Sequence, residues 1–158
     1  MKHFYLLIII IISINIIGCT NKFPKPYGFV NDFAHIINEN EYYDIINTVD
    51  EIHNEKHIQI AVVTLDSTHY KKQDFTTYVK DLGNNWGVGE KDKNNGVILA
   101  VSESNKKVVI QVGTGIEKVL TDSICGEILK KEMIPEFKKG KFKDGIIKGL
   151  KKINSYFK

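Results

Sequence analysis

Apolar and polar positions alternate along the chain with two periods, one helical and one extended. Asn38 is followed three residues later by Glu41, a capping-box start, and Tyr42, Ile45, Ile46, Val49 and Ile52 then recur at helical spacing. This predicts a helix over 39–56. Ile58 to Leu65 alternates at first and then runs apolar, as a strand buried on both faces does. Asp74 can cap a second helix whose apolar stripe, Phe75, Tyr78, Val79 and Leu82, leads to Trp86; Gly83 and Gly87 end it. G-V-I-L-A-V-S and K-V-V-I-Q-V are joined by the polar turn Glu103-Ser104-Asn105-Lys106, which predicts a β-hairpin over 96–102 and 107–112. Thr121 or Asp122 starts a helix to about Lys131, with Pro135 ending it or opening a new turn. A last helix over 139–156 presents Phe142, Ile146, Ile147, Leu150 and Ile153. With Phe29–Ala34 as a brief strand or turn, the order is β-α-β-α-β-β-α-α. That order predicts an α/β fold, a three-layer α/β/α sandwich with a mixed central sheet.

The N-terminus follows a different rule. Lys2 precedes an apolar run from Phe4 to Ile17, which ends in Ile16-Ile17-Gly18-Cys19. A positive start, an apolar core and a small residue before a cleavage point make a secretory signal over 1–18. The run is short for a transmembrane helix, which needs about 20 apolar residues. The last four residues resemble the lipobox of bacterial lipoproteins, although Ile at the second position before the cysteine is less usual there. The resemblance implies that Cys19 carries lipid and that the protein is exported and anchored to the cell membrane or outer membrane, extracytoplasmic or periplasmic. No acidic residue directly follows Cys19, which leans to the outer membrane where there are two. An uncleaved N-terminal anchor is the alternative. Residues 19–28 contain two prolines and Gly28 and read as a tether, leaving 29–156 as the folded domain.

Composition narrows the chemistry. The 158 residues suit one domain. With Cys19 lipidated, Cys125 has no disulfide partner, and its apolar neighbours Ile124, Ile128 and Leu129 predict an inert packed thiol. All 22 basic residues are lysine. Without arginine, phosphatases built on Cys-x5-Arg or on an Arg–His phosphate clamp are excluded. A net charge of +3 on an exported chain argues against nucleic acid as a partner. His53 and His57 fall at a helix end without an H-E-x-x-H pattern, and no serine sits in a nucleophile elbow. Gly113-x-Gly115 lacks a third glycine and follows a hairpin strand, so no nucleotide is expected. The lysines between 138 and 152 read as a solvated helix face, or as one turned to anionic headgroups.

Because a hairpin folds back, Asn94-Asn95-Gly96 and Gly113-Thr114-Gly115 must share one edge of the sheet. Asn94, Asn95, Glu117 and Asp122 gather oxygens near it, and Asp32, on the first βα loop, could join them. Oxygen ligands suit hard cations such as Ca²⁺ or Mg²⁺. The same residues can equally serve the backbone, with Asn95 in a turn, Asp122 at an N-cap and Asp32 on loop amides.

V-N-D-F-A, W-G-V-G with K-N-N-G-V-I-L-A-V, V-V-I-Q-V-G-T-G-I-E, L-T-D and I-P-E-F-K-K-G-K-F, in this order over about 28–154, resemble the TPM domain family. The resemblance implies an α/β/α sandwich, usually exported or membrane-attached, that binds divalent metal through loop acids. Plant chloroplast members are linked to photosystem II repair and acid phosphatase activity, and a nematode member accompanies a neurotransmitter receptor. The family's V-D-D falls on Val30-Asn31-Asp32, its K-D-N-G on Lys93-Asn94-Asn95-Gly96, its G-x-G-x-E on Gly113, Gly115 and Glu117, and its later acid on Asp122. Asn31 and Asn94 stand where aspartate is common, which implies weaker metal affinity. Two functions follow. One is a metal-binding module that assists assembly or maintenance of a membrane complex, with a membrane-protein partner. The alternative is a metal-dependent acid phosphatase of low selectivity.

Overall fold

The computed structural model describes residues 22–71 and 73–158. Cys19 and the signal segment lie outside the described residues. Four strands form one sheet in the order β1 (Val30–Asp32), β2 (Gln59–Thr64), β3 (Gly96–Ser102), β4 (Lys107–Val112). The first three run parallel and β4 returns antiparallel to β3. The hairpin has the bounds read from its pattern. Every residue of β3 is buried, as befits a central strand covered on both faces.

The period of two sorts the strand residues between two cores. Ile60, Val62, Val97, Leu99 and Val101 face α1 (Glu39–Lys56) and α5 (Phe142–Asn154). Ala61, Val63, Ile98 and Ala100 face α2 (Phe75–Trp86). The three layers and the mixed sheet are as expected. The crossovers β1-α1-β2 and β2-α2-β3 move the same way across the sheet, yet their helices cover opposite faces. One of the two is therefore left-handed, against the strong general rule for parallel strands.

The helix starts follow their caps. Asn38 and Glu41 complete the capping box, Asp74 accepts from Thr77 N, and Thr121, not Asp122, caps α3 (Asp122–Ile128). Pro135 does not end the helical path. A π turn over Leu129–Met133 carries the backbone into α4 (Ile134–Phe137). Proline lacks the N–H that an α-helical turn would use, and a widened turn absorbs the mismatch. Cys125 is buried as expected, and burial pushes its thiol up to about 11, which disfavours the thiolate.

Residues 22–28 do not stand clear of the domain. Phe23 packs on Tyr78, Trp86 Nε1 donates to Pro24 O at 2.8 Å, and Lys22 pairs with Asp81. The aromatic residues of the tether were the signal for this docking. Among the described residues no helix is long and apolar enough to cross a membrane.

Among the described residues Glu136 is the one buried acid, at 7% exposure, and accepts from Lys148 Nζ at 2.6 Å and Lys139 Nζ at 3.2 Å. Lys148 first, then Lys139, holds its carboxyl below the usual glutamate range. A depressed carboxylate pKa stabilises the fold above the unfolded value and loses that contribution as pH falls through the folded one. Thermal melts should therefore show wild type losing more stability than Glu136→Gln between neutral pH and values below about 4. Parallel losses in the two proteins would refute this.

Candidate functional site

The open end of the hairpin is built by backbone lying directly on backbone. Gly113 N donates to Gly96 O at 2.8 Å and Gly115 N to Asn94 O at 3.1 Å, so the two glycine-bearing loops share one edge as the fold-back requires. A Cβ on Gly113 would lie 2.1 Å from Asn94 O, and one on Gly115 1.8 Å from Lys93 O. Neither glycine has positive φ. They are needed for close approach rather than for a tight turn. Asn94 itself takes a left-handed backbone, φ 48°, which asparagine tolerates. The recess beside Asn94, Gln111 and Thr114 holds about 220 Å³. That is below the roughly 300 Å³ at which small-molecule sites begin.

Asn95 is 6% exposed and fully engaged. Its Oδ1 accepts from Glu90 N at 2.8 Å, and its Nδ2 donates to His57 O at 2.7 Å and Glu90 Oε1 at 3.2 Å. It clips the 87–95 loop to the end of α1. There His57 takes a left-handed cap conformation and His53 Nδ1 meets Ile58 O at 3.1 Å. The side chains of Asn94, Glu117 and Asp122 are exposed and make no hydrogen bond among the described residues.

Asp32 lies at the opposite edge of the sheet. It pairs in register with Thr64, which pairs with Val101, whereas the open end is at Gln59 and Gly96. From Gly96 to Val101 the strand advances roughly 16 Å. Asp32 therefore does not join the hairpin's oxygens. Its Oδ1 accepts from Ile36 N at 3.2 Å and from Thr64 Oγ1, and its Oδ2 accepts from Ile37 N at 3.0 Å. Thr64 Oγ1 in turn accepts from Ala34 N at 3.0 Å. The pair staples the loop between β1 and α1. Thr64, fully buried at the end of an apolar strand, was not picked out from the sequence; a hydroxyl closing such a run was its only signal. Asn31 is also fully buried, with Oδ1 accepting from Tyr27 N and Nδ2 donating to Gly28 O, both at 2.8 Å. An aspartate there could not donate to Gly28, which gives the asparagine a structural reason.

As a set, the five expected ligands do not fit one cation. Two of them, Asp32 and Asn95, spend their oxygens on backbone and hydroxyl donors, and Asp32 is on the wrong edge. Among the described residues no three His, Cys, Asp or Glu side chains group as a metal site. Asn94, Glu117 and Asp122 remain available.

An open mixed sheet covered on both faces, with a hairpin locked by glycines and polar residues mostly committed to its own backbone, defines a small α/β sandwich domain with a loop-built edge. The chain belongs to the TPM domain family, whose sequence profile matches residues 30–156. Three NMR structures share the fold. The N-terminal domain of a P. gingivalis protein has a TM-score of 0.72 at 26% identity, covering 81% of this chain and 80% of that one. The BA42 protein of the psychrophilic bacterium Bizionia argentinensis has a TM-score of 0.66 at 23% identity, covering 77% and 83%. The N-terminal domain of the cg2496 protein from Corynebacterium glutamicum has a TM-score of 0.66 at 18% identity, covering 85% and 84%. Among curated protein sequences none matches this chain.

Proposed function

We propose that this protein is an exported, lipid-anchored TPM domain that acts as a binding module assisting assembly or maintenance of a membrane complex, rather than as a hydrolase. The observation that supports this reading is the commitment of Asp32. Both of its oxygens hold a loop of the fold, so the acid at the C-terminal edge of the parallel strands is a staple and not a free base. A divalent cation, Ca²⁺ or Mg²⁺, engages Asn94, Glu117 and Asp122 at the open end and orders the loops there. Two carboxylates and an amide, all solvent-exposed, give the weak, millimolar class of affinity. Cys19 supplies the anchor through its lipid.

The phosphatase alternative makes the opposite demand. Purified protein should release no phosphate from a generic ester above the blank in Ca²⁺, Mg²⁺ or Mn²⁺. A cation-dependent rate abolished by Glu117→Ala, with folding intact, would overturn the module reading.

A further inference from the structure

The closed end of the hairpin carries a second feature, unrelated to the cation loops. A cleft of about 420 Å³ opens between β4 and α4, with Val108, Ile134, Phe137 and Phe142 in its lining. That volume lies within the range of sites that accept a small molecule or a large side chain, about 300–1,000 Å³. Lys106, Lys107 and Lys138 also line it, and all three are exposed and form no ion pair among the described residues. Their neighbours differ. Lys139 and Lys148 are paired with Glu136, Lys141 with Asp144, and Lys143 with Asp44 and Asp144. Glu103 is the one acid in the lining. Lys106 and Lys138 are thus unpaired cations beside an apolar slot, while the Lys107 ammonium lies over the Tyr70 ring on the other face of the sheet and Lys139, Lys143 and Lys148 are neutralised by the fold.

The edge of the sheet runs into the same slot. β4 is a terminal strand. Gly113 bonds Gly96, so Gln111, Val109 and Lys107 are the residues whose N–H and C=O groups turn to β3. Val108, Ile110 and Val112 turn theirs outward, and among the described residues these outward groups have no hydrogen-bond partner. V-V-I-Q-V has no proline, no bulge and no charge beyond Lys107, so it lacks the usual devices that blunt an edge. The π turn immediately precedes α4, which forms the far wall, and π turns recur at functional sites.

We propose that this edge and cleft are a docking surface for an extended, acidic segment of a partner protein. The segment pairs with the outward groups of Val108, Ile110 and Val112 as an added strand, sets an apolar side chain in the cleft, and brings carboxylates to Lys106 and Lys138. The unpaired lysines favour an acidic partner over a second copy of this chain, which would bring the same cations. The inference rests on the binding-module reading and names the chemistry of its partner; it does not involve the cation loops.

The test uses the full chain in nanodiscs of neutral lipid, with short fluorescent peptides that alternate Phe or Val with Glu, and matched peptides carrying Lys in place of Glu. Glu peptides should bind and Lys peptides should not. Reversing Lys106 and Lys138 to Glu should weaken binding about fivefold or more, the sum expected of two exposed pairs. Val108→Pro, which removes an outward N–H without touching the β3 ladder, should weaken it too, with circular dichroism unchanged. Equal binding of both peptide types, binding indifferent to the lysine reversals, or no binding by any Glu peptide overturns the proposal. Capture of anionic vesicles through the same lysines, without peptide binding, would assign the surface to lipid and also overturn it. A failure here with normal cation titration strikes this surface alone. Cation-dependent hydrolysis would strike the module reading itself.

Discussion

Gly115→Ala is expected to destabilise the domain by about 3 kcal/mol or more and to lower its melting temperature by roughly 10 °C. The added methyl would stand 1.8 Å from Lys93 O and 3.0 Å from Lys93 C. These are backbone atoms, so no rotamer change relieves the clash. Relief requires the 87–95 loop to lift from the 113–116 turn, which breaks the bond from Gly115 N to Asn94 O. Gly113→Ala meets Asn94 O in the same way at 2.1 Å and should act similarly. Gly126 is the control: it sits on α3 with nothing within 4 Å, so alanine there should be neutral or stabilising by up to about 1 kcal/mol. Chemical denaturation of the three variants checks the ordering. A Gly115→Ala protein as stable as wild type would mean that the loops are not packed as described.

Asp32→Ala should cost about 2–4 kcal/mol, because it strips acceptors from Ile36 N, Ile37 N and the Thr64 hydroxyl together. The loop between β1 and α1 would lose its staple while Thr64 still holds Ala34 N. The denaturant midpoint should fall with little change in slope, since the surface exposed on unfolding is unaltered. Thr64→Val should give a smaller loss in the same direction, and the double variant should cost less than the sum, as expected of groups in one network. Strict additivity would contradict the shared role.

The difference between what could and could not be read in the chain lies in range. Caps and hairpin turns are local, so Asn38, Glu41, Asp74 and the Glu103–Lys106 turn placed α1, α2 and the β3–β4 pair within a residue or so of their bounds. The fold-back likewise put Asn94 beside Gly115 correctly. The place of Asp32 depended on which end of β1 meets which end of β3, and two intervening crossovers decide that. Proximity in a list of loop acids is not proximity in a parallel sheet, whose two edges are a strand length apart. Of the two readings of Pro135, the structure takes the second, a new turn at the start of α4. Its missing N–H is absorbed by the π turn over Leu129–Met133, so the helical path continues into α4. Residues 22–28 looked like linker by their prolines, and Phe23, Tyr27 and Trp86 fix them by contacts with α2 and the β1 loop.

The proposed division of labour, in which Asp32 frames the fold and only the hairpin's open end is free for a cation, can be tested by one titration. Amide NMR of residues 22–158 is followed as Ca²⁺ or Mg²⁺ is raised into the millimolar range. Residues 93–96, 113–118 and 121–123 should move together with one midpoint, while 33–37, behind the Asp32 staple, stay in place. Shifts centred on 33–37, or none at the open end at millimolar metal, would contradict it.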